Sequence, residues 1–218
     1  MSKMTLKEKI GQMYQAGYEG TAVTGPQFDA SSTVQNIKDG SVGSIIGLYD
    51  NDVIYSLQKC AVENSRLGIP LLFCNDIIHG CRTAFPINLA LSASWNPKTA
   101  YDCASVSAYE SSHSGVNLVF SPMLDLVRDP RWGRVSEGSG EDTYLGCRIA
   151  EAMVRGYQGL DKETQLTQDD QILACVKHFA LYGAPEAGRD YNTVDMSRIR
   201  MYNEYFPPYK AAIDAGAA

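Results

Sequence analysis

The run ILACVKHFALYG, residues 172–183, sets Lys177 and His178 directly after five apolar residues. A short, continuously apolar run bounded by polar residues is the pattern of a strand buried on both faces, as in a parallel sheet covered by helices. The same rhythm repeats upstream. GSIIGL (43–48), IPLLFCND (69–76) and VNLVFSP (116–122) read as strands, and QILACVKH (171–178) as the fourth. Between them lie helical stretches. One runs from Asp52 to Leu67, with Gly68 suited to its C-terminal stop. Another starts at Asn96-Pro97, an N-cap followed by proline at the first helical position, and ends near Gly115. A third starts near Glu141, presents Leu145, Ile149 and Met153 on one face, and ends near Gly159. The polar insert DKETQLTQDD (161–170) precedes the fourth strand. The last helix is interrupted at Pro207-Pro208 and resumes as YKAAIDAG (209–216). At the start, Thr5 and Glu8 fit a capping box, with Leu6, Ile10 and Met13 on one helical face.

Strands alternating with helices give an α/β class, either a (β/α) barrel or an open doubly wound sheet. No GxGxxG follows the first strand, which removes the main support for a dinucleotide fold. Polar clusters follow several strands instead: NDIIHGCR (75–82), SPMLDLVRDPRWGR (121–134) and KHFALYG (177–183). A barrel brings all such strand ends to one face, so a (β/α)8 TIM-barrel type is expected. Four strands are half of eight, and Gly216 should hand over to another strand. Residues 1–218 are therefore expected to be about the first half of the barrel.

The composition is that of an ordinary globular protein, with 44% hydrophobic and 20% charged residues. A net charge of −6, without blocks of like charge, makes nucleic acid and anionic membranes unexpected partners. Cys60, Cys74, Cys81, Cys103, Cys147 and Cys175 form no CxxC pair and read as reduced thiols; with three widely separated histidines, no metal is expected. The N-terminus has no apolar leader, and no stretch approaches the ~20 apolar residues of a membrane span. A soluble, cytoplasmic chain is expected as given, periplasmic or secreted if a leader has been removed.

Asp76, Arg82, Arg134, Lys177 and His178 supply one carboxylate and several charged donors at strand ends. Such a ring suits a small polar ligand such as a sugar, since charge-assisted hydrogen bonds are about twice as strong as neutral ones. Trp95 and Trp132 offer an apolar face to a sugar ring. Each has a plainer alternative. Asp76 caps a turn; Arg128, Arg131 and Arg134 brace the loop by pairing with Glu137, Glu141 or Asp142; His79 and His178 are packed core histidines. Lys177 is harder to dismiss, because an uncompensated buried lysine is costly.

The segments FCNDIIHGCRTAFPINLALSASWN (73–96), SPMLDLVRDPRWGRVSEGSGEDTYL (121–145), KHFALYGAPEAGRDYNTVDMS (177–197) and YFPPYKAAIDAGAA (205–218) resemble, in collinear order, glycoside hydrolase family 3, and most of all its bacterial β-glucosidases, the periplasmic type included. The resemblance implies a (β/α)8 barrel domain and hydrolysis of terminal β-linked glucose or xylose by double displacement with retention, without a cofactor. On the family's pattern Asp76 binds hydroxyls of the non-reducing-end sugar, and Arg82, Arg134, Lys177, His178 and, with a less regular loop, Arg189 line the same subsite. Glu141 and Asp142 lie in the family's ED signature as bracing residues.

The family's nucleophilic aspartate sits in an SD motif after a later strand, and its acid/base residue usually in a second domain. Residues 1–218 contain no SD motif, so they are expected to be a barrel part ending before the nucleophile and inactive alone. The missing barrel half and second domain are the expected partners, besides a β-glucoside or oligosaccharide substrate; unpaired sheet edges also favour a homo-oligomer. The loop ALYGAPEAG (180–188) lacks the histidine of the family's N-acetylglucosaminidase branch. Two rivals stay open: a non-catalytic sugar-binding half-barrel, and a Schiff-base aldolase using Lys177.

Overall fold

The computed structural model of this protein describes residues 2–18, 27–28 and 30–218. The chain divides into two compact units, residues 1–76 with 113–118, and residues 77–112 with 119–218.

The first unit opens with α1 (Leu6–Gln12), and the expected capping box is formed. Glu8 N–H donates to Thr5 Oγ1 at 3.2 Å, and Thr5 N–H to Glu8 Oε2 at 2.7 Å. The apolar face is not the buried one. Leu6, Ile10 and Met13 are exposed, whereas Glu8 and Gly11 are buried. Glu8 is turned inward by Arg66, whose Nε and Nη2 reach its two oxygens at 2.8 and 2.6 Å. At Gly11 the chain comes so close to Gly40 that a Cβ would lie 2.0 Å from its carbonyl oxygen.

The strands β1 (Gln15–Tyr18) and β2 (Gln27–Phe28), the helix α2 (Ala30–Lys38), β3 (Ser44–Ile46), α3 (Asn51–Asn64) and β4 (Leu72–Asn75) follow. Within this unit the strands run in the order β2-β1-β3-β4, all parallel, with Ala16 opposite Ile45 and Ile45 opposite Phe73. Ile37, Ile45, Leu57 and Phe73 form its core. Asn117 lies beside β4, its N–H donating to Phe73 O at 3.0 Å. The chain then passes to the second unit through β5 (Leu118–Val119). β1, β2 and α2 lie outside the expected elements, so the described residues hold six strands rather than four. QAGY carries no apolar run, its two buried residues being the small Ala16 and Gly17. α3 also stops short of Leu67: the Ser65 hydroxyl takes the Ala61 carbonyl at 2.6 Å, competing with the helical ladder.

The second unit contains α4 (Asn88–Ala93), α5 (Pro97–Ser112), α6 (Thr143–Gln158), β6 (Leu173–Ala174), α7 (Arg198–Arg200) and α8 (Pro207–Asp214), the last two joined by a π-helical turn, Met201–Tyr205. α5 starts as expected, Lys98 N–H donating to Asn96 Oδ1 at 3.1 Å, and α6 is capped by Asp142, which accepts from Leu145 N–H at 2.7 Å. α6 ends at Gly159, whose φ of 108° only glycine adopts readily. α6 packs between α5 and α8, burying Ala104, Ile149, Met153, Val154 and Ala212. The regular part of β6 is shorter than the apolar run, but pairing continues. Cys175 N–H donates to Val119 O at 2.9 Å, and Lys177 forms a parallel bridge with Met123.

Candidate functional site

The site in the second unit grows from that bridge. Lys177 N–H donates to Pro122 O at 3.2 Å, and Leu124 N–H to Lys177 O at 2.7 Å. This register sets Asp125 beside His178. Asp125 Oδ2 accepts the His178 backbone N–H at 2.9 Å and lies 2.9 Å from His178 Nδ1. Asp125 is buried, 3% exposed, in the apolar stretch MLDLV. A charge there is tolerable only with partners. From α8, the Tyr209 hydroxyl donates to His178 O at 2.8 Å, 3.3 Å from Asp125 Oδ1. Burial, with the Asp125 charge adding to it, pushes the Tyr209 phenol well above its ordinary range. His178 is thereby held at its N–H, its carbonyl and its ring.

Arg134, at the end of the RDPRWGR loop, is held in a fork by Glu137: Nε to Oε1 at 2.6 Å and Nη2 to Oε2 at 2.7 Å. The hydrogen bonds from Arg134 hold the Glu137 carboxyl below its ordinary range against the opposing effect of burial, and the positive charges of Arg134 and Lys177 add to this. The Arg134 guanidinium lies over the Tyr182 ring at 5.5 Å. That ring meets the imidazole of His178 edge-on at 4.8 Å and Trp132 edge-on at 5.0 Å. Arg134 and His178, far apart in sequence, thus meet at the Tyr182 ring, and the charge of Lys177, next to His178 in the chain, acts on Glu137. Close approach of the loop after β6 depends on Gly183, where a Cβ would sit 2.3 Å from Leu126 O. Leu181, Ala187 and Tyr191 in that loop have positive φ, a conformation that costs such residues free energy and that clusters at functional sites.

Asp76 is exposed at the end of β4 in the first unit. Arg82 is exposed, its backbone N–H on Glu110 Oε2 at 2.8 Å. Arg189 is exposed after the short 3-10 turn Glu186–Gly188. Arg128 and Arg131 do brace the loop, though with other partners: Arg128 pairs with Glu204 and Arg131 with Asp129. Glu141 is exposed and lends its carbonyl to Arg128 at 3.5 Å, while Asp142 is the cap of α6. The expectation for Trp132 is corrected. It is 0% exposed, packed with Met123 and Val127, and its Nε1–H donates to Asp190 at 2.9 Å, so its face is closed to any ligand. His79 is exposed, Nδ1 lying 3.2 Å from Phe85 O, and is not a core histidine. Asp125 and Tyr209 carry the site without having been expected to, whereas the pairing of Arg134 with Glu137 is the bracing alternative that the sequence left open. The one sequence signal was a lone aspartate inside MLDLV.

The family described as the glycosyl hydrolase family 3 N terminal domain matches residues 5–218. This chain belongs to glycosyl hydrolase family 3. It is 45% identical to the periplasmic beta-glucosidase of Salmonella typhimurium over 100% of this chain and 27% of that protein. To the putative beta-xylosidase of Formosa agariphila it is 33% identical, over 98% of this chain and 30% of the other. Among solved structures, beta-glucosidase from Listeria innocua in complex with isofagomine matches with a TM-score of 0.88 and 46% identity, covering 99% of this chain and 30% of that one. The same enzyme in complex with glucose matches with a TM-score of 0.87. These neighbours are TIM-barrel-like, and the α/β class with parallel strands agrees with them. The family 3 chain thus spans less than a third of the length of these relatives.

Proposed function

We propose that this chain carries the sugar-binding part of a β-glucosidase-type glycosidase, and that the protein at its native length hydrolyses terminal β-linked glucose or xylose with retention. The observation that carries this is the meeting of Arg134 and His178 at the Tyr182 ring after β6, with the Lys177 charge acting on Glu137. Lys177 and Arg134 donate to sugar oxygens, and His178 completes the set. Arg82 and Arg189, and Asp76 in the first unit, are assigned hydroxyl contacts on the family's motifs alone. The similar enzymes named for glucosides and xylosides, one of them with glucose bound, support the substrate class. The relative named as periplasmic supports export. No helix among the described residues is long and apolar enough to cross a membrane.

Retention requires two carboxyl groups about 5–5.5 Å apart, a nucleophile and an acid/base. Both are assigned to segments beyond residue 218, supported by the less than one third of the relatives' length that this chain spans. The test is hydrolysis of an aryl β-glucoside by the protein at its native length, with the anomer formed first read by NMR. A β-anomer supports the proposal. An α-anomer, or turnover by residues 1–218 alone, contradicts it.

A further inference from the structure

We propose that Asp125 is the positioning residue of the site: it fixes a proton on His178 Nδ1 and thereby makes Nε2 the nitrogen that meets the ligand. For its consequence in binding this rests on the sugar-binding function proposed above. An ionised carboxylate only accepts hydrogen bonds, so a ring nitrogen 2.9 Å from Asp125 Oδ2 must carry a hydrogen. The same oxygen takes the backbone N–H of His178 at 2.9 Å. The Asp125 side chain is 0% exposed, so water does not compete for either bond. Tyr209 has one hydroxyl proton, and the shorter contact, 2.8 Å to His178 O, receives it. Its oxygen, 3.3 Å from Asp125 Oδ1, covers the other side of the carboxylate.

The consequence is chemical. A lysine ammonium only donates, whereas the Nε2 of a singly protonated imidazole whose proton sits on Nδ1 only accepts. Lys177 and His178, consecutive in the chain, then offer a donor and an acceptor, which a hydroxyl satisfies with its oxygen and its hydrogen together. A fluorine in the same place satisfies only the lysine. The pair therefore selects a ligand hydroxyl over its fluoro or deoxy counterpart.

The test uses the protein at its native length labelled with 15N-histidine, the His178 signals being assigned by their loss in His178→Gln. Expected is a protonated Nδ1 in the wild type. Asp125→Leu should give mixed tautomers and weaken glucose binding at least tenfold. Asp125→Asn, which keeps one acceptor oxygen, should recover part of that loss, and Tyr209→Phe should weaken binding while leaving Nδ1 protonated. An unprotonated Nδ1 in the wild type overturns the proposal, and this does not depend on any Asp125 variant folding. So does an Asp125→Leu protein with Nδ1 still fully protonated and unchanged glucose affinity. Mixed tautomers in Asp125→Leu without any change in glucose affinity would uphold Asp125 as the positioning residue and remove His178 from the sugar site.

Discussion

Replacing Glu137 by glutamine keeps the volume and one acceptor oxygen but removes the charge that holds Arg134. Both members of the fork are largely buried, their side chains 26% and 22% exposed, and both contacts are short, at 2.6 and 2.7 Å. One of the two charge-assisted bonds is lost outright, since the amide nitrogen can only donate toward a guanidinium that also only donates. A hydrogen bond to a charged group contributes about 1.5–3 kcal/mol. Residual water access argues for the lower part of that range, about 1.5–2 kcal/mol. The native-length protein should lose that much stability in urea at pH 7. The pH dependence has a definite sign. Glu137 has a depressed folded-state pKa, so its contribution is fully present above the ordinary carboxylate value of about 4.3 and is lost as pH falls through the lower folded value. The gap between wild type and Glu137→Gln should therefore be constant from pH 7 to about pH 5 and shrink in more acid solution. A loss below about 0.5 kcal/mol at pH 7, typical of an exposed pair, or a gap independent of pH, would refute the paired state of Arg134.

Asp142→Ala removes the cap of α6 and should cost about 1 kcal/mol of stability in denaturant titration with little effect on glucose affinity; a selective loss of affinity would instead make Asp142 a ligand contact. Gly156→Ala should destabilise by about 1–3 kcal/mol despite alanine's better helix propensity, because a Cβ there lies 2.6 Å from both the Ala104 Cβ and the Tyr101 carbonyl of α5; a raised melting temperature would show that α5 and α6 are not this close. Lys177→Met should weaken glucose binding by about 1.5–3 kcal/mol in calorimetry, and an unchanged affinity would remove Lys177 from the site.

Local signals made much of this legible. The Thr5–Glu8 capping box, the Asn96-Pro97 start of α5, and the ends near Gly115 and at Gly159 all depend on neighbours within a few residues, and they stand where the sequence puts them, whereas α3 ends at Asn64, ahead of Gly68. The apolar run before Lys177 likewise announces a strand, because continuous burial on both faces needs no partner to be specified. What stayed hidden depends on tertiary contact. The outward face of α1 follows from the inward pull of Arg66 on Glu8, a residue 58 positions away. Trp132 is as apparent in sequence as Trp95, yet only the packing of Met123, Val127 and Tyr182 decides that it is enclosed. β1 and α2 have few large apolar residues and are specified by what they lie against. In the site, Lys177 and His178 were readable as a pair at a strand end. The roles of Asp125 and Tyr209 required the bridge between Met123 and Lys177 and the return of α8, which no local pattern encodes.

The most direct test of the proposed site is a crystal structure of the native-length protein with glucose bound. Glucose with hydroxyl groups within about 3.2 Å of Lys177 Nζ, His178 Nε2 and the Arg134 guanidinium is the predicted result. Glucose bound away from all three side chains would contradict the assignment of this site to the sugar.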